Sequence, residues 1–239
     1  MKQATISVII PAYNEERAIP YVVRDIPKDL VDYIIVVDNG SKDDTAAKAE
    51  EAGAITVQEP KRGYGNACLK GISILPEDTD IVVFLDGDYS DYPEDMANIV
   101  SPIVEGKADL TIGSRLLGVR ESGALLFQAY AGNKLATFLI YLFWGFRFTD
   151  LGPFRAIRYK YLMQLDMKDK DFGWTVEMQI KAIMNKFRIV EVPVRYRKRI
   201  GQSKITGTIK GSVKAGMKII YTILKYRCNY SAQTFQSVF

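Results

Sequence analysis

A run of five apolar residues, Ile81-Val-Val-Phe-Leu85, ends in two carboxylates one residue apart, Asp86 and Asp88. A short uninterrupted apolar run reads as a strand buried on both faces, the mark of a parallel sheet covered by helices. In an open α/β sheet, ligands bind outside the carboxyl ends of the strands. Two acids at that edge suit a hard divalent cation, Mg²⁺ or Mn²⁺, which takes a few carboxylates and completes its shell with substrate phosphate oxygens. Gly87 between them leaves room for a ligand to approach the backbone. The same residues also fit an Asp-Gly turn ahead of a helix opened by Pro93, with Glu94 and Asp95 in its first turn. Other stretches must decide between the two.

Upstream, Ala4–Ile10 reads as a first strand ended by Pro11, which cannot donate to a ladder. Asn14 is placed to cap a helix starting at Glu15 or Glu16. Tyr13 and Glu15 then stand at the sheet's carboxyl edge, where a ring and a carboxylate could hold a base and a ribose diol. Tyr33–Val37 forms a second strand, followed by Asp38 and a helix capped by Ser41 or Asp43 that runs to about Ala52 and stops at Gly53. Ala54–Val57 is a short third strand. Lys61-Arg-Gly-Tyr-Gly-Asn-Ala67 opens the next helix with two glycines and two cations, a composition that suits an anion at a helix N-terminus. A helix over Pro93–Glu105 and a strand over Ala108–Ser114, closing on Arg115, complete an alternation of strand and helix. That alternation predicts an α/β fold, a mostly parallel central sheet with helices on both faces.

Lys134 and Arg147 enclose twelve uncharged, mostly apolar residues. A membrane span needs roughly 20, so this segment reads as a buried core helix or an interfacial one. Asp150-Leu-Gly-Pro-Phe-Arg155 is a compact loop of acid, turn and base. Phe172–Lys186 reads as an amphipathic helix carrying Trp174 and Glu177, and Arg188–Val194 as a last strand. Thr208–Tyr226 closes the chain as a helix with Lys210, Lys214 and Lys218 on one face. The division expected is a catalytic domain over residues 1–206 and a basic amphipathic helix and tail over 207–239, suited to a membrane surface.

Net charge is only +4, but it is unevenly placed. From Arg195 to Phe239 there are ten Lys or Arg and no acid, leaving 22 basic against 28 acidic side chains before them. Such a tail calls for an anionic partner, a lipid surface or a phosphorylated ligand. Its tyrosines could stack on bases, yet nothing else points to nucleic acid, and no nucleic-acid partner is expected. With no histidine, His-based catalysis and His metal ligands are excluded. Cys68 and Cys228 form no metal or redox spacing, and Met1 leads straight into a strand, which together read as a reduced, cytoplasmic protein.

Taken in order, Ser7-Val-Ile-Ile-Pro-Ala-Tyr-Asn-Glu-Glu16, Val37-Asp-Asn-Gly-Ser-Lys-Asp-Asp-Thr45, Arg62-Gly-Tyr-Gly-Asn-Ala67, Leu85-Asp-Gly-Asp88 and Gly113-Ser-Arg115 resemble the family 2 inverting glycosyltransferases of GT-A fold. Within them the chain looks most like the dolichyl-phosphate mannose synthase group and its bacterial polyprenyl-phosphate relatives. Asp150-Leu-Gly-Pro-Phe-Arg155 and Gly201-Gln-Ser-Lys204 carry the likeness past residue 200. The resemblance implies transfer of a hexose from a UDP- or GDP-sugar to a polyprenyl or dolichyl phosphate by a peripheral enzyme on the inner face of the membrane. The alternative is a glycan or small-molecule hydroxyl acceptor.

It also implies roles. Pro11, Tyr13, Glu15 and Asp38 would hold base and ribose, with Lys61, Gly63 and Asn66 beside them. Asp86 and Gly87 would face the donor sugar, Asp88 and Ser90 the Mg²⁺ or Mn²⁺. Arg199 and Lys204 would face the diphosphate, and Arg115, Arg155 and Ser203 an acceptor phosphate. An ionised phosphate acceptor needs no general base. A hydroxyl acceptor does, and Asp150 and Glu177 are the candidates. Two departures stand out. Ser90 is a weaker ligand than the Gln that group commonly carries there, and Lys198 replaces an arginine of some synthases, whose place Arg199 would take.

Overall fold

The computed structural model describes residues 4–201 and 209–236. Seven strands form one sheet: β1 (Ile6–Ala12), β2 (Tyr33–Asp38), β3 (Ile55–Gln58), β4 (Ile81–Phe84), β5 (Leu110–Ser114), β6 (Arg155–Arg158) and β7 (Ile189–Pro193). Their order is β3-β2-β1-β4-β6-β5-β7. All run parallel except β6, which is antiparallel to both its neighbours. The parallel register pairs Ala12 with Asp38 and Ile9 with Phe84, so the chain leaves β1, β2 and β4 along a common edge. The strand order turns around between β1 and β4, where a doubly wound sheet opens its crevice.

Alternate residues of the central strands serve two cores, as the pleat dictates. Ile9, Val82 and Phe84 pack on one face with α3 (Tyr64–Ile72), α5 (Phe127–Trp144), α6 (Tyr159–Leu165), α7 (Trp174–Met184) and Ile223 of α8 (Ile209–Gln236). Val8, Ile10 and Val83 pack on the other with α1 (Ile19–Asp25), α2 (Thr45–Glu51) and α4 (Met96–Val104). The closing helix is therefore anchored in the same core as the sheet.

Several local expectations change. Asn14 caps no helix: it sits at φ 52 and its Oδ1 accepts from Lys42 N at 2.8 Å. The helix starts later, at Ile19. Asp43 accepts from Thr45 N at 3.2 Å just ahead of α2. Arg155 ends the compact loop and also opens β6. The apolar segment between Lys134 and Arg147 belongs to α5, which stops at Gly145 in the left-handed region (φ 72), its N–H donating to Tyr141 O. That helix is both core and surface. Ala136 and Ile140 are buried, whereas Phe127, Leu135, Phe138 and Leu142 stand exposed. Among the described residues no helix is long and apolar enough to cross a membrane.

Candidate active site

A cavity of about 440 Å³ opens at the β1/β4 edge. Pro11 at the end of β1, Tyr13 and Glu15 just after it, and Asp86, Gly87 and Asp88 after β4 line it together with Gly63 and Arg199. Eight of the residues expected at the site thus meet in one place, from four separate stretches of chain. Asn39, Arg62, Tyr64, Asp171, Phe172 and Lys214 complete most of the wall and were not foreseen. Arg62 and Tyr64 lie inside a recognised motif, so their types were legible but not their directions. Asp171 and Lys214 carry no local signal.

The acids carry the electrostatics. Asp86 accepts from the Tyr64 hydroxyl at 3.2 Å. Burial and then the neighbouring charge of Asp88 push its carboxyl up to about 6, against the pull of Arg199. Asp88 Oδ1 accepts from Ser90 N at 2.9 Å and Ser90 Oγ at 2.5 Å, and its Oδ2 lies 2.6 Å from Arg199 Nη1. Asp91 is almost wholly buried and neither of its carboxylate oxygens has a partner among the described residues. Burial and the charge of Asp86 raise it well above the usual carboxylate range, with Arg115 opposing. Two cavity-facing carboxylates that repel one another, over a third held in low dielectric, are a donor set that fits a hard divalent cation. Asp86 and Asp88 would hold it, with remaining ligands from a substrate, since among the described residues no three acidic, Cys or His side chains are arranged to hold a metal by themselves.

Other expected residues take different posts. Ser90 is buried, and its hydroxyl points at Asp88. In this arrangement it holds that carboxylate in place. Asp38 is buried and accepts from Ser41 N at 3.1 Å, shaping the turn after β2. Lys61 is exposed and absent from the cavity wall. Asn66 donates through Nδ2 to Arg62 O and through its backbone N to Lys170 O, both at 3.0 Å. A Cβ on Gly63 would stand 2.1 Å from Lys170 O, and one on Gly65 2.1 Å from Asp169 O. These glycines admit the 169–170 backbone against the start of α3, and that carbonyl takes a helix N–H where an anion was expected. The Tyr13 ring, expected to receive a base, lies under the Arg62 guanidinium.

Arg115 and Asp150 form a two-pronged pair, Nε to Oδ2 and Nη2 to Oδ1 both at 2.8 Å. Burial works to raise the Asp150 carboxyl, but Arg115 outweighs it and the group lies below its ordinary value. A fully buried carboxylate so paired is a poor proton acceptor. Glu177, the other candidate base, is also buried and away from the cavity. It accepts from Lys168 N at 3.0 Å, Asp169 N at 2.6 Å and the Tyr226 hydroxyl at 2.6 Å, with Lys181 Nζ at 2.8 Å. It ties the loop that carries Asp171 and Phe172 to both α7 and α8. Arg155 is wholly buried on carbonyls, donating to Gly152 O at 3.0 Å and Thr175 O at 2.9 Å. Burial lowers it to about 10, and it cannot reach an acceptor phosphate from there. Ser203 and Lys204 lie outside the described residues.

Residues 7–165 match the sequence profile described as glycosyl transferase family 2. The chain belongs to that family. An uncharacterized glycosyltransferase of Mycobacterium tuberculosis is 33% identical over 213 residues, spanning 88% of this chain and 94% of its own. A UDP-N-acetylglucosamine–dolichyl-phosphate N-acetylglucosaminyltransferase of Methanococcus voltae is 30% identical, spanning 94% and 96%. The polyprenol monophosphomannose synthase of Mycolicibacterium smegmatis is 31% identical, spanning 84% and 81%. Among solved structures, glucosyl-3-phosphoglycerate synthase of Mycobacterium tuberculosis superposes with a TM-score of 0.76 at 25% identity, covering 95% of this chain and 80% of that one. The GT-A fold expected from the motifs is therefore the fold found. Crystals of that synthase contain phosphoglyceric acid, Mn²⁺ with UDP-glucose, and Mg²⁺ with UDP.

Proposed function

We propose that this glycosyltransferase moves a hexose, with inversion, from a UDP- or GDP-sugar to the phosphate of a polyprenyl lipid at the inner face of the membrane. One observation carries the choice of acceptor. Helix α8 lines the cavity through Lys214 and also turns Val213, Met217, Tyr221 and Leu224 outward. Its neighbour α5 exposes Phe127, Leu135, Phe138 and Leu142, and neither helix contains an acid. Paired apolar helix faces rimmed by lysines suit an anionic lipid surface. A second copy of the chain would bring lysine against lysine.

The chain's own groups then have defined work. Tyr13, Arg62 and Glu15 hold the nucleoside end, and Gly87 lets the donor lie against the strand terminus. Asp86 and Asp88 would hold Mg²⁺ or Mn²⁺, which when bound would supply Lewis-acid charge to the leaving diphosphate. Arg199 and Lys214 add fixed positive charge beside it. An acceptor phosphate arrives ionised and attacks the sugar's anomeric carbon as the bond to the diphosphate breaks. Asp150 and Glu177, the two bases expected for a hydroxyl acceptor, are both buried in ion pairs, which removes the support those residues would have given that alternative. A small phosphorylated acceptor is the second reading, favoured by the phosphoglyceric acid bound to the structural neighbour.

The test is release of nucleoside diphosphate from a panel of UDP- and GDP-sugars with Mn²⁺ or Mg²⁺, with polyprenyl phosphate in detergent, phosphoglycerate, or neither. Release that requires lipid phosphate and metal, and is lost in Asp88→Ala, supports the first reading and names the donor. Release with phosphoglycerate and not with lipid replaces it with the second.

A further inference from the structure

Arg199 stands where a cation belongs. Its Nη1 is 2.6 Å from Asp88 Oδ2, and Ser90 occupies the other oxygen through its N at 2.9 Å and its Oγ at 2.5 Å. Every oxygen of the expected metal ligand is therefore engaged by the protein itself. The guanidinium rides on a stretch bolted to the loop that carries Asp88. Arg197 N donates to Ser90 O at 2.9 Å, Ile200 N to Asp88 O at 3.0 Å, and Arg197 Nε to Tyr89 O at 2.8 Å. The backbone cannot withdraw without breaking these bonds, so only the Arg199 side chain is free to swing. It also lines the cavity.

We propose that Arg199 holds the cation position on Asp88 until metal and nucleoside diphosphate arrive together, then transfers to the diphosphate, so that each ligand strengthens the binding of the other. This rests on the reading that the cavity takes a divalent cation and a nucleotide. A divalent ion arriving alone must displace the guanidinium and leave it facing a like charge with no new anion to pair with. A diphosphate supplies that anion, and the planar fork of arginine suits two phosphate oxygens as well as one carboxylate. Coupling between two ligands is reciprocal by necessity, so it can be read from metal binding without turnover.

The experiment titrates Mn²⁺ into the full chain and counts free Mn²⁺ by electron paramagnetic resonance, with no nucleotide, with UDP and with GDP. Wild type is compared with Arg199→Gln and Arg199→Lys, each checked by circular dichroism. For wild type, the better nucleotide should tighten Mn²⁺ by about tenfold or more. Arg199→Gln should bind Mn²⁺ alone roughly fivefold tighter than wild type, and its coupling should fall below about threefold. Arg199→Lys keeps the charge without the fork and should fall between. It also provides the reading if the glutamine variant does not fold. Equal Mn²⁺ affinity in wild type and both variants without nucleotide overturns the inference while leaving the site intact. Wild type that binds neither Mn²⁺ nor either nucleotide overturns the site along with it.

Discussion

Asp86 bears an unresolved charge that a single substitution exposes. Its folded pKa of about 6 exceeds the reference 3.8 because burial and Asp88 both disfavour the carboxylate. The folded state therefore holds the proton more tightly than the unfolded chain between those values, and this group's contribution to stability falls as pH rises through that window. Asp86→Asn removes the penalty. Thermal unfolding should show the variant more stable than wild type by about 3 kcal/mol at pH 8, with the difference vanishing near pH 4, while sugar transfer is lost. Arg115 and Asp150 make the opposite case. Asp150→Ala strands a guanidinium whose side chain is only 14% exposed, which should lower urea-derived stability by about 3–5 kcal/mol. A double Arg115→Met, Asp150→Leu variant should regain most of it. A single loss no larger than that of an exposed pair would mean that the bridge is solvated.

At the scale of elements, apolar runs made most strands legible. Val8–Ile10, Ile34–Val37 and Ile81–Phe84 are unbroken because both faces of a parallel sheet are covered. β6 escaped because Arg155-Ala-Ile-Arg158 is short and ends in two cations, and the buried role of Arg155 depends on carbonyls at 152 and 175 that no local pattern announces. The site was legible where cavity-lining residues closely follow strands, as Tyr13 and Asp86 do. It was not legible where the loop after α6 or the helix α8 folds over from far along the chain, as Asp171 and Lys214 do. The outward faces of α5 and α8 support a prediction of their own. Phe138→Asp combined with Met217→Asp changes only exposed positions, so the melting temperature should move by no more than a degree or two. Flotation with anionic vesicles should nevertheless fall severalfold, because two apolar side chains are lost from the contact and two like charges are introduced. Unchanged flotation would remove these helices from any membrane role.

For the whole molecule, the arrangement of charge matters more than its net of +4. Residues before Arg195 hold 28 acids against 22 bases, while the last 45 hold ten bases and no acid. Arg195, Arg199 and Lys218 are already paired with Asp95, Asp88 and Asp169, so on an anionic surface the remaining cations would supply the attraction, turning α8, and hence the Lys214 side of the cavity, toward the lipid. Each lysine or arginine near such a surface contributes about 1 kcal/mol, decaying over a Debye length of about 10 Å at 0.1 M salt. Apolar contact by α5 and α8 is not screened in this way. The two contributions separate in a salt series. Binding to vesicles containing anionic lipid should weaken steeply between 0.05 and about 0.5 M NaCl and then level off above the binding seen with the double aspartate variant. Binding that falls to nothing at high salt would leave the charge asymmetry as the sole attraction and the apolar faces without a lipid contact. A salt-independent profile would instead mean that charge in this stretch contributes nothing to the lipid contact.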